Sequence, residues 1–126
     1  MSARLKIAVA DDELDTREYL QEYLTYLGHE VRSAADGRHL VELCREFAPD
    51  LIITDYAMPG LDGLAAAAEI NRARPVPVVL ISGRHDAQSL ATVEGVVTFL
   101  AKPVKEKDLR AAVEAVRAGA HGAPSP

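Results

Sequence analysis

Five polar residues in this chain have the types and spacing to do chemistry together: Asp11, Asp12, Asp55, Ser82 and Lys102. Each closes or follows a short apolar run. Leu5-Lys6-Ile7-Ala8-Val9-Ala10 runs into Asp11-Asp12-Glu13, and Leu51-Ile52-Ile53-Thr54 into Asp55. Val78-Val79-Leu80-Ile81 runs into Ser82, and Val96-Val97-Thr98-Phe99-Leu100-Ala101 into Lys102-Pro103. Carboxylates brought together repel one another, and that raises at least one pKa unless something compensates. A hard divalent cation is the natural compensation, since Mg²⁺ takes oxygen ligands and typically uses one or two carboxylates plus phosphate oxygens. Lys102 adds a point positive charge and Ser82 a hydroxyl donor. Such a group suits phosphoryl oxygens, and a carboxylate within it can itself be the nucleophile, giving an aspartyl phosphate.

Taken singly, each piece has an ordinary explanation. Asp11-Asp12-Glu13 reads as N-cap and first-turn acids favoured by a helix dipole. Asp55 can begin a turn, and Ser82-Gly83 can be a loop start. Lys102-Pro103 alone is a surface turn, since only about 5–6% of X–Pro bonds are cis. Their joint occurrence, in order and at strand ends, outweighs these readings.

The elements that must position these residues alternate regularly. The apolar runs near 5–10, 30–34, 51–54, 78–82 and 96–101 read as five strands, two of them buried on both faces. Between them, Leu20, Tyr23, Leu24 and Leu27 form one helical stripe, with Gly28 as its stop. Asp36-Gly37 opens a second helix that runs through Phe47 and ends before Pro49. Asp62 caps a third over 63–73, a weak fourth falls within 85–93, and Leu109, Ala112, Val113 and Val116 mark a fifth. Strands separated by helices imply parallel pairing with right-handed crossovers. The expected fold is α/β: a flavodoxin-like (βα)5, doubly wound open parallel sheet, strand order 2-1-3-4-5, in a three-layer sandwich. In such sheets ligands bind outside the carboxyl ends of the strands, where all five polar residues fall.

Composition bounds the rest. At 126 residues, 48% hydrophobic and 26% charged, the chain fits one domain with a substantial core. The predicted division is a domain over 1–118 and a tail or linker over 119–126. A net charge of −5 argues against direct nucleic-acid or anionic-membrane binding. No apolar run reaches the roughly 18–20 residues of a membrane span, and the start has no signal-peptide profile, so a cytoplasmic location is expected. The single cysteine, Cys44, lies in the apolar register of the second helix and reads as a buried hydrophobe. His29, His39, His85 and His121 have no ligand spacing and are expected at the solvent surface. No phosphate-cradling G-x-x-x-x-G-K loop and no nucleophile-elbow pattern occurs.

Asp11-Asp12, the segment Asp55-x-x-Met58-Pro59-Gly60-x-Asp62-Gly63, Ser82 and Lys102-Pro103 together resemble the receiver domain of the bacterial two-component response regulators, over roughly residues 4–118. The resemblance implies Asp55 as phosphoacceptor for a phosphohistidine of a sensor histidine kinase or phosphotransfer protein. It implies a Mg²⁺ (or Mn²⁺) ion held by Asp12, Asp55 and the Ala57 backbone carbonyl, with Asp11 acting through water. Lys102 and Ser82 would contact the phosphoryl group, Ser82 and Phe99 would form the switch, and Lys102-Pro103 would be cis. The domain would catalyse only its own phosphorylation and dephosphorylation, and so is not expected to be an enzyme on external substrates. The output face would be the fourth helix, fifth strand and fifth helix, leading to an unnamed effector, with homodimerisation left open. Phe99 replaces the more usual Tyr, and the Ser82-to-Lys102 interval is shorter than is typical for the family. Two alternatives remain: a Mg²⁺-dependent phosphohydrolase with an aspartyl intermediate, or a non-phosphorylated pseudo-receiver that only binds. The first lacks a second carboxylate two residues past Asp55, where Ala57 stands.

Overall fold

A computed structural model describes residues 4–83 and 95–119. In chain order the elements are β1 (Lys6–Ala10), α1 (Leu14–Tyr26), β2 (Glu30–Ala34), α2 (Gly37–Phe47), β3 (Leu51–Asp55), α3 (Gly63–Ala73), β4 (Val78–Ser82), β5 (Val96–Ala101) and α4 (Glu106–Arg117). The strands form one sheet in the order β2-β1-β3-β4-β5, and every pairing is parallel. This is the expected doubly wound α/β fold. The helix expected within 85–93 lies outside the described residues, so α4 here corresponds to the predicted fifth helix.

Side chains alternate across each strand, and that period of two divides the core into two layers. Ile7, Val9, Leu51, Ile53, Val79 and Ile81 face one way, against Leu20 and Leu24 of α1 and Leu109, Val113 and Val116 of α4. Ala8, Ala10, Ile52 and Val78 face the other, against Leu40, Cys44 and Phe47 of α2 and Ala66, Ala67 and Ile70 of α3. Ala66 and Ala67 of α3 are wholly buried in that second layer. Emptying either layer at one large residue, as in Ile53→Ala, costs about 2–5 kcal/mol through lost burial and the cavity left behind.

Helix ends follow local chemistry. Asp36 and Asp62 cap α2 and α3, accepting from the His39 N–H at 2.8 Å and the Ala65 N–H at 2.7 Å. Gly28 follows α1 with φ +102°, a conformation that glycine enters without steric cost. Ala48, before Pro49, takes a left-handed φ of 51° to end α2.

One expectation fails. His29 is buried rather than solvent-exposed, because its Nδ1 accepts the Leu5 N–H at 3.1 Å. The sequence shows no metal spacing around it, but a ring nitrogen satisfying the amide just before β1 needs none. His39 is exposed as expected, and His85 and His121 lie outside the described residues.

Candidate phosphoryl-transfer site

The parallel register gathers the candidate side chains. Asp55 ends β3 opposite Ile81, and Ser82 ends β4 opposite Ala101. Asp11 directly follows β1, its N–H donating to the Ala34 carbonyl at 3.2 Å. Lys102 follows β5 and is drawn onto the same rim by its N–H, which donates to the Ser82 carbonyl at 3.0 Å. The Lys102–Pro103 peptide bond is cis.

Three carboxylates, those of Asp11, Asp12 and Asp55, each bring an oxygen within 4.8 Å of the others. Asp11 is wholly buried, Asp55 is 5% exposed, and Asp12 opens to solvent. The Lys102 ammonium donates to Asp55 Oδ2 at 3.2 Å and to Glu13 Oε1 at 3.3 Å. It also stands 3.2 Å from Asp11 Oδ2, an ion-pair contact outside hydrogen-bonding geometry, so that oxygen is buried with no hydrogen bond. Burial, then the nearby Asp11 charge, pushes the Asp55 carboxyl above the usual carboxylate range, with Lys102 opposing and Asp12 adding to the shift. Burial lowers the Lys102 ammonium's pKa, but Asp55 and Asp11 outweigh it and the net shift is upward. Lysine therefore stays charged while three carboxylates, those of Asp11, Glu13 and Asp55, crowd one ammonium and Asp12 adds a fourth negative charge nearby. The donor set is all oxygen, close and undercompensated, with a buried oxygen lacking a hydrogen bond. These residues fit a hard divalent cation.

Ser82 is buried at the end of β4, and Phe99 sits half-buried on β5 opposite Leu80. Ala57 is exposed in the loop that follows β3, between Tyr56, whose N–H donates to the Ile81 carbonyl at 2.8 Å, and buried Met58. Three supporting groups escaped sequence reading. Glu13 joins the lysine cluster, Arg17 Nη1 donates to the Asp11 carbonyl at 2.8 Å, and Thr54 Oγ1 donates to the Asp55 carbonyl at 3.0 Å. Only Glu13 carried a signal, being the third acid in the run after β1.

A doubly wound parallel sheet with this acid–lysine cluster at its carboxyl rim defines a flavodoxin-like signalling class. Residues 7–114 match the family model of the response regulator receiver domain, and the chain belongs to that family, which acts in two-component signalling. The transcriptional regulatory protein PdtaR of Mycobacterium tuberculosis is 38% identical over 112 residues, covering 86% of this chain and 55% of its own length. The probable transcriptional regulator ycf27 of Porphyridium aerugineum is 33% identical over 113 residues, covering 88% and 47% respectively. The chain thus spans about half the length of these curated relatives. Among solved structures, a response regulator receiver domain protein from Clostridium thermocellum superposes with TM-score 0.84 at 31% identity, covering 90% of this chain and 94% of that one. NtrX from Brucella abortus gives TM-score 0.85 at 33% identity, covering 94% of this chain and 28% of its own. Among the described residues, no helix is long and apolar enough to cross a membrane.

Proposed function

We propose that this domain is a cytoplasmic switch that accepts a phosphoryl group on Asp55 from the phosphohistidine of a sensor histidine kinase or phosphotransfer protein. The supporting observation is the convergence of Asp11, Asp12 and Asp55 within 4.8 Å beside Lys102. A carboxylate oxygen of Asp55 attacks phosphorus in line, the P–O bond forms, and the P–N bond breaks with its electron pair leaving on the donor imidazole. Asp12, Asp55 and the Ala57 carbonyl, with Asp11 through water, would hold Mg²⁺ or Mn²⁺, which when bound supplies positive charge to the phosphoryl oxygens. Lys102, already bonded to Asp55, neutralises charge on the same oxygens, so the chain contributes positioning and electrostatics. Ser82 then donates to the phosphoryl group, and the Ser82 and Phe99 region is the packing that the new charge biases. Hydrolysis of the aspartyl phosphate resets the domain, which acts on no other substrate.

Incubation with Mg²⁺ and a small phosphodonor such as acetyl phosphate should add the mass of one phosphate, and Asp55→Ala should abolish the gain. No gain in the wild type, or a gain that survives the substitution, would overturn the assignment.

A further inference from the structure

The loop from Tyr56 to Asp62 carries Ala57, and it is closed on itself by the Gly63 N–H, which donates to the Tyr56 carbonyl at 2.8 Å. Met58 anchors its middle in the α2–α3 core layer, and Leu61 packs against the same layer. Two glycines, each the first residue of a helix, press on the two ends of this loop. A Cβ at Gly63 would fall on the Asp55 carbonyl, and a Cβ at Gly37 would fall on the Leu61 carbonyl. Both obstacles are backbone, which cannot rotate aside as a side-chain tip can. Gly63 is part of the acidic segment itself, but Gly37 belongs to α2, a helix that contributes no group to the acid–lysine cluster.

We infer that Gly37 is a positioning residue for the cation-facing loop: its missing side chain lets the Leu61 carbonyl rest on the first turn of α2, which fixes where the Ala57 carbonyl stands. The inference deepens the proposed cation site and rests on it. A methyl group at position 37 drives Leu61 outward. The loop is short and tethered at Tyr56 and Gly63, so the displacement passes to Ala57–Gly60 rather than dissipating in slack chain. Asp36 fixes the other side of this contact by capping α2 through the His39 N–H. Groups behind the metal ligands commonly change affinity about 10–100-fold when altered, because ligand placement tolerates little error.

The test compares Gly37→Ala with Gly28→Ala. Gly28 has φ +102° and nothing within 4 Å of an added Cβ, so that variant loses stability without touching the loop. In metal-free protein, amide resonances of Tyr56, Ala57, Met58, Gly60 and Leu61 should shift in Gly37→Ala and stay in place in Gly28→Ala. Calorimetric titration with MgCl₂ should show about ten-fold weaker binding for Gly37→Ala and wild-type binding for Gly28→Ala. Unshifted loop amides with wild-type Mg²⁺ affinity in Gly37→Ala would overturn the inference, as would equal weakening in both variants. If the wild type binds no Mg²⁺, the cation site itself falls, while the metal-free amide shifts still decide whether Gly37 places the loop. Should Gly37→Ala not fold, Asp36→Ala loosens the same helix turn without adding an atom. Shifted loop amides there support the contact, and unshifted ones overturn it.

Discussion

At the amino-terminal ends of the strands, polar groups are matched almost one to one. The Lys6 N–H donates to Asp50 Oδ2 at 2.8 Å and its ammonium to the Phe47 carbonyl at 3.1 Å. Arg74 Nη1 donates to the Pro49 carbonyl at 2.9 Å, and buried His29 takes the Leu5 N–H at 3.1 Å. Arg32 and Lys6 both lie over the Phe47 ring, 4.5 and 5.4 Å from its centre. At the carboxyl ends the matching stops. Asp11, Glu13 and Asp55 share one ammonium, Asp12 stands beside two of them, and Asp11 Oδ2 is buried without a hydrogen bond. One end of the sheet is satisfied by its own side chains, while the other holds a charge imbalance that a ligand would relieve. Proteins break the rule of satisfied burial chiefly where function requires it.

The sharpest way to break this contrast is to supply the missing charge. Saturating Mg²⁺, at about 100 times its dissociation constant, should raise unfolding free energy by about 2.7 kcal/mol, because binding to the folded form alone pulls the equilibrium. Urea titrations with and without the ion would show it, and Asp12→Ala should remove most of the gain. A carboxyl end indifferent to Mg²⁺ would mean that the crowding is structural.

A smaller pair of effects should have opposite signs at the two ends. His29→Ala strands the buried Leu5 N–H and should destabilise the metal-free protein by about 1–3 kcal/mol. Asp55→Asn keeps the shape but removes a carboxylate whose charged form burial and Asp11 disfavour. It should stabilise the metal-free protein by on the order of 1 kcal/mol. Chemical denaturation of both variants in chelator checks the signs, and a destabilised Asp55→Asn would erase the proposed asymmetry.

The strands, the helices among the described residues and the rim were legible because they rest on periodicity and on apolar runs that end in polar residues, whereas the strand order followed from the common arrangement of five such units. Asp11, Asp12, Asp55, Ser82 and Lys102 could be placed together for the same reason: in a parallel sheet, ending a strand fixes which edge a residue occupies. What stayed hidden depended on distance across the fold. Nothing in the sequence around His29 reports that Leu5 would leave an amide facing it. Thr54 reads as one more strand residue until its hydroxyl is seen on the Asp55 carbonyl. Gly37 looks like an ordinary residue after a turn acid, because its role lies in an atom that it lacks and in a loop that follows the next strand.

The smallest effect is a slope with pH, and it belongs to the satisfied end. Burial lowers the His29 pKa, the Glu114 charge opposes that shift, and Arg117 reinforces it. As an acceptor from the Leu5 N–H, Nδ1 must be unprotonated. The unfolded imidazole takes up its proton near pH 6.5, about its ordinary value, while the folded one resists until lower pH. Between those two values the unfolded chain binds more protons, so stability falls as pH falls. The His29 contribution is complete above about pH 6.5 and is lost as pH drops through the folded value. Urea midpoints between pH 7.5 and 5.5 should therefore decline more in the wild type than in His29→Gln, whose side chain does not titrate. Performed in chelator and again in Mg²⁺, the difference between the two proteins should be the same, because His29 lies at the opposite end of the sheet from the carboxylates. A difference that changes with Mg²⁺ would show that the two ends are coupled through the strands between them.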